Sequence, residues 1–146
     1  MTNVDDFAAL IPGDHGLCVV STLRAAGTIQ SSVVNAGVLA HPVTGASVVA
    51  FTTRGETAKL ANLRARPRAT VVIRVGWQWA AAEGSIELAG PSDPLSDFDP
   101  DALPGLLRAV FTSAGGTHDD WATYDRVMAE ERRTAVLISP DRVYSN

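Results

Sequence analysis

Six of the twelve basic residues in this sequence, Arg54, Lys59, Arg64, Arg66, Arg68 and Arg74, fall between positions 54 and 74, where Glu56 is the only acid. Lys59 is the sole lysine beside eleven arginines. Such a cluster is suited to holding an anion. Two hydroxyls, Thr52 and Thr53, stand at its edge, and Thr53-Arg54-Gly55-Glu56 has the spacing of a capping box. A helix that starts there presents unpaired N–H groups and a partial positive charge, with Arg54 at its start and Lys59 about two turns in. Phosphate is the ligand such a terminus would take. The same spacing also describes a capped surface helix with basic residues on its wet face, and the pattern alone leaves both open.

The other chemistry-bearing residues read as structural. His118 is expected in the first turn of a helix opened by the Thr117-x-x-Asp120 box, where Asp119 and Asp120 complement the helix dipole. His15 and His41 sit near turns without a cysteine or histidine at metal-ligand spacing, so no metal site is expected. Cys18, the one cysteine, lies in the apolar run Leu17–Val20 and reads as a buried, inert thiol. There is no Gly-x-Gly-x-x-Gly, no phosphate loop of the Walker type and no Gly-x-Ser-x-Gly. With no protein-borne nucleophile in view, no catalytic side chain is expected. A redox protein whose cofactor carries the chemistry fits that pattern.

The elements that must position these residues are mostly strands. A short helix is expected over Thr2–Ile11, ended by Pro12-Gly13. Strands are expected over Gly16–Arg24 and Thr28–Leu39, joined by the turn Ala25-Ala26-Gly27, and over Ser47–Thr53. The basic helix must stop near Arg66 because Pro67 follows. Strands then resume at Ala69–Val75 and Trp77–Ala89, with Gly84 a candidate bulge. Residues 91–101, with three prolines and four aspartates, read as a solvated loop. Leu103, Leu106, Leu107, Val110 and Phe111 mark one helix, and Trp121, Tyr124 and Met128 a second. The run Thr134–Val143, broken by Pro140-Asp141, reads as a closing strand pair. Mostly antiparallel strands with one helix between the third and fourth disfavour a doubly wound sheet, and a closed barrel accounts for the strand number with fewest exposed edges.

A chain of 146 residues, 46% hydrophobic, has the size of a single domain spanning 1–146. The net charge of −4 argues against nucleic acid and anionic lipid as partners. No apolar run approaches a membrane span, and the N-terminus is acidic, so a soluble, cytoplasmic protein is expected.

The run from Thr52 to Pro67 resembles the Thr-x(6)-Lys-x-x-Asn-Leu-Arg-x-x-Pro signature of the pyridoxamine 5'-phosphate oxidase-like flavin and deazaflavin oxidoreductases. Gly27–Val33 is similar to that family's second strand, and His118–Trp121, Tyr124 and Glu131-Arg132-Arg133 add supporting matches. The likeness is greatest to the deazaflavin (coenzyme F420) branch. It implies a mainly β, antiparallel split β-barrel with flanking helices, which dimerises with the cofactor at the subunit boundary. It further implies that Thr52, Thr53, Arg54 and Lys59 hold the cofactor phosphate, and that Gln30, Ser31, Ser32 and Val33 run along the flat ring. Trp77 and Trp79, on one side of a strand, would shape the pocket over the ring of the partner subunit or pack in the dimer or barrel core. The implied reaction is hydride transfer from reduced F420 to a flat, conjugated small-molecule acceptor. FMN in the same fold, or a non-catalytic cofactor- or tetrapyrrole-binding protein, are the alternatives. Arg64, Arg66 and Arg68 would favour the acidic tail of F420 only if they face the groove.

Overall fold

The computed structural model describes all residues, 1–146. The chain runs α1 (Val4–Leu10), β1 (Leu17–Leu23), β2 (Ile29–Asn35), β3 (Gly37–Ala40), β4 (Ser47–Thr53), α2 (Ala58–Ala65), β5 (Arg68–Val75), β6 (Gln78–Ala89), α3 (Leu103–Ser113), α4 (Trp121–Glu130) and β7 (Thr134–Ser145). Every strand pairing is antiparallel, in the order β2-β1-β5-β6-β7-β4-β3. The two ends of that order, β2 and β3, are consecutive in the chain and separated by Ala36 alone. One bent strand therefore joins the two ends and rolls the sheet into a barrel, with β2 pairing only with β1 and β3 only with β4.

The bend at Ala36 divides the single strand expected over Thr28–Leu39. Ala36 is fully buried, and its N–H donates to Gly16 O at 2.9 Å. A Cβ on Gly16, whose φ is +69°, would collide with that same Ala36 carbonyl. The tight crossing of these two backbones makes glycine necessary at 16.

Alternation along the strands separates inside from outside. Val20, Val34, Val49, Phe51, Val71, Ile73, Val136 and Ile138 fill the barrel, with Phe7 and Leu10 of α1 closing one end. A second cluster lies outside it, where Val48, Ala50, Ala135 and Leu137 meet Leu106, Leu107 and Val110 of α3. The 91–101 segment is not wholly solvated as expected. Leu95 is buried in this second cluster and Phe98 packs against it.

Three helix starts differ from the expected ones, each with its cap nearer the helix than expected. Asn3 caps α1, accepting from Asp5 N at 2.9 Å while Asp6 accepts from Asn3 N at 2.8 Å. Thr57 caps α2 and Asp120 caps α4. The Thr123 hydrogen bonds hold the Asp120 carboxyl below the usual carboxylate range. His118 therefore precedes α4 instead of sitting in its first turn. Gly84 does mark a register shift, and opposite it β7 carries Asp141 as the unpaired residue, so Thr134–Ser145 is one bulged strand rather than a pair. No helix is long and apolar enough to cross a membrane.

Candidate functional site

A cavity of about 700 Å³ opens between the barrel and the α3–α4 pair. Val33, Val34 and Asn35 of β2 and Thr52 and Thr53 of β4 form its sheet wall; Val110 and Phe111 of α3 and Tyr124 and Met128 of α4 form the opposite wall. Three cations, Arg54, Lys59 and Arg133, line it, and no carboxylate does.

Tertiary contacts, not helical propensity, set the cation geometry. Arg54 pairs with Glu131 at 3.0 Å, and the other oxygen of that carboxylate takes Arg133 Nε at 3.1 Å. Gly55 N donates to Glu131 O at 3.2 Å, and a Cβ on Gly55 would lie 2.8 Å from Arg132 Cβ. The Arg54-Gly55-Glu56 turn is thus clamped to the end of α4, which is why α2 begins only at Ala58. Lys59 accordingly stands in the first turn of α2, not two turns in. It is partly buried and makes no hydrogen bond or ion pair with the protein. Burial, and after it the charge of Arg133, pull its pKa below the ordinary lysine value. An unpaired ammonium beside a second cation is a local charge excess that an anion would relieve.

Thr53 is buried, its hydroxyl 2.8 Å from that of the α2 cap Thr57, which ties strand end to helix start. Of the expected site residues, Val33, Thr52, Thr53, Arg54 and Lys59 share this cavity. The rest lie elsewhere in the single chain. Gln30 joins Asn62 and Thr22 in a part-buried network, and Ser31 is exposed and bonds Ser21. Ser32 Oγ is buried with no partner. Trp77 is 94% exposed on the β5–β6 turn, and Trp79 meets Tyr144 edge-on at 6.2 Å. Arg64 pairs with Asp93, Arg68 with Asp141, and Arg66 Nε donates to Leu23 O, so this trio does not furnish the cavity with charge.

Sequence reasoning missed the helical wall and the mouth. Tyr124 packs at 5.1 Å against Phe111 with the rings tilted by 44° and donates its hydroxyl to Leu107 O, and burial raises its pKa, so it stays protonated. Arg108, bound to Asp125 and lying 5.2 Å over the Trp121 ring, joins α3 to α4. After α3 the chain turns through Gly115 at φ +93° and lays Gly116 flat against Phe111, where a Cβ would come within 2.6 Å of the ring. The Gly-Gly pair behind a helix was the one signal of this lip.

No family model matches the chain. Solved structures do resemble it. A conserved hypothetical protein of Mycobacterium tuberculosis superposes with a TM-score of 0.67 at 18% identity, covering 99% of this chain and 84% of its own. An F420 reductase gives 0.61 at 14%, covering 93% and 94%. A pyridoxamine 5'-phosphate oxidase-related, FMN binding protein of Nostoc punctiforme gives 0.64 at 12%, covering 97% and 81%. A heme binding protein of Mycobacterium smegmatis gives 0.64 at 15%, and this chain spans 55% of it. By its fold the chain stands among the split β-barrels that are like pyridoxamine 5'-phosphate oxidase, a group of structures that also holds an F420 reductase.

Proposed function

We propose that the chain is an oxidoreductase that uses the deazaflavin coenzyme F420 to reduce a conjugated small-molecule acceptor. The observation that carries this reading is the unpaired, partly buried Lys59 in a cavity lined by three cations and no acid. The unpartnered Ser32 Oγ adds a second unmet polar group, on the strand whose next two residues line that cavity. Both fit a ligand with a phosphate at one end and a hydrogen-bonding ring. Lys59, Arg54, Thr52 and Thr53 would hold the phosphate, and β2 from Gln30 to Val33 would lie along the ring. When bound, such a cofactor supplies a hydride. The chain's own part is to orient the ring and to keep water off it with Val33, Phe111 and Met128. A specific observation favours FMN as the second reading: Arg64, Arg66 and Arg68 are engaged elsewhere, so they offer nothing to an acidic tail.

The site reading extends to a homodimer. Val33, Val19 and Val72 stand side by side across three strands, each more than a third exposed, and Leu17, Leu23 and Ile29 widen this apolar face. Val33 also lines the cavity, so a second copy on this face would border the cofactor, with the exposed Trp77 offered to the partner. Val19→Arg, which puts like charges together across such an interface, should yield monomers by sedimentation equilibrium and weaken cofactor binding at least about tenfold. A dimer that persists in this variant moves the interface elsewhere.

The pH dependence of binding follows from Lys59. In the free protein its pKa is lowered, and a bound phosphate holds the proton on. Affinity is therefore full below the lowered Lys59 pKa and falls as pH rises through it. Calorimetric titration at rising pH should show this decline, and Lys59→Arg, whose guanidinium does not titrate there, should not. The activity itself is read as reoxidation of the reduced cofactor by a quinone. Cofactor binding without reoxidation by any acceptor would make the chain a binding protein.

A further inference from the structure

His15 is one of only three non-glycine residues with positive φ, at 54°, and the only one of them that lines the cavity. Histidine enters this region more readily than most residues, yet the conformation needs support from its surroundings. That support is visible on both sides. Asn35 Nδ2 donates to the His15 carbonyl at 2.8 Å, Leu17 N donates to Asp14 O, and Gly16 N to Ile11 O. The loop is thereby pinned to the β2–β3 bend, the point at which the barrel closes. Its imidazole is exposed and has no protein partner on either nitrogen. Gly115 packs beside it, close enough that a Cβ there would lie 4.0 Å from both His15 Cα and His15 Nδ1, in ordinary van der Waals contact. A backbone held in an uncommon conformation, with the ring left unbonded at a cavity mouth, is an arrangement that stability alone does not require.

We propose that His15 hydrogen-bonds the carbonyl oxygen of the acceptor and supplies the proton that completes its reduction. This rests on the oxidoreductase reading above. In that step the acceptor carbon gains a hydride, two electrons taken from a reduced deazaflavin or flavin. One ring N–H bond of the His15 imidazolium, on the side of the ring that lines the cavity, breaks as an O–H bond forms on the acceptor. The neutral ring then recovers its proton from water at the exposed lip. Asp14 precedes His15 in the chain, and Arg54, Lys59, Tyr124 and Arg133 are the other titratable groups of the cavity; none is bonded to the His15 ring. The neighbouring cations keep that end for the anionic part of the ligands and leave the His15 lip for a neutral carbonyl.

The test uses His15→Gly, which suits the positive φ and so keeps the fold, with His15→Asn as a second variant that also tolerates it. Both should bind F420 or FMN as the parent does and lose about 100-fold in the rate of 1,4-naphthoquinone reduction at saturating cofactor. Added imidazole should restore a large part of the rate to His15→Gly. In the parent, the His15 ring nitrogen resonances should shift when the quinone is added. Parent-like rates in both variants, or no rescue together with unmoved ring resonances, would overturn the role of His15 while leaving the cofactor reading intact. Failure of the parent itself to bind either cofactor would overturn both.

Discussion

Lys59→Ala should weaken binding of the phosphate-bearing cofactor by about 1.5–3 kcal/mol, roughly ten- to 150-fold, with little loss of fold. The size follows from the removal of a charge-assisted hydrogen bond in a partly buried site. The selectivity follows from geometry: the ammonium makes no bond within the protein, so its deletion leaves no partner stranded. The lowered pKa points the same way, since the free protein is relieved of an unfavourable charge when Lys59 is removed. Arg54→Ala should do less, because Glu131 already holds that guanidinium and would keep Arg133 in its absence. Calorimetry of both variants beside the parent checks the order, and equal dissociation constants for Lys59→Ala and parent would move the phosphate elsewhere.

Gly37→Ala is expected to damage fold and site together. A Cβ at 37 would collide with Ser113 Oγ and come within 2.5 Å of the Ser113 carbonyl carbon, at the end of α3. Neither the barrel bend nor the helix can give way easily, so the overpacking should cost about 1–3 kcal/mol and lower the thermal midpoint by several degrees. Because Phe111 and Ala114 form the cavity wall at that end of α3, cofactor affinity should fall as well. Gly105→Ala is the control on the same helix. Its Cβ meets nothing within 4 Å, and the better helix former should stabilise slightly, by up to about 1 kcal/mol. A Gly37→Ala protein that melts and binds like the parent would mean that α3 is free to shift.

Much of the barrel was legible in the sequence because strand alternation is a local signal. Val-rich runs bounded by Gly27, Gly45 and Gly76 mark turns that each reach positive φ, and Gly84 marks the bulge. The phosphate end of the site was legible for the same reason, since Thr52, Thr53, Arg54 and Lys59 are neighbours in sequence. What could not be read is what distant segments decide. Glu131 restrains the Arg54 turn from 77 positions away and shifts the start of α2 by four residues relative to the Thr53 box. Leu95 hides in a segment whose prolines and aspartates advertise a solvated loop. His15 reads as an ordinary turn histidine until the α3–α4 lip is seen beside it. Ser31 and Ser32 have the same side chain and adjacent positions, yet only Ser32 ends buried and unpartnered, because the strand turns it toward the barrel.

The most direct measurement is a fluorescence titration of the purified chain with F420 and with FMN in parallel at moderate salt, repeated on Lys59→Ala. The account predicts saturable binding of F420, one per chain, that Lys59→Ala weakens at least tenfold, and FMN-only binding would establish the second reading. Failure of both cofactors to bind would contradict the claim that this cavity is a cofactor site.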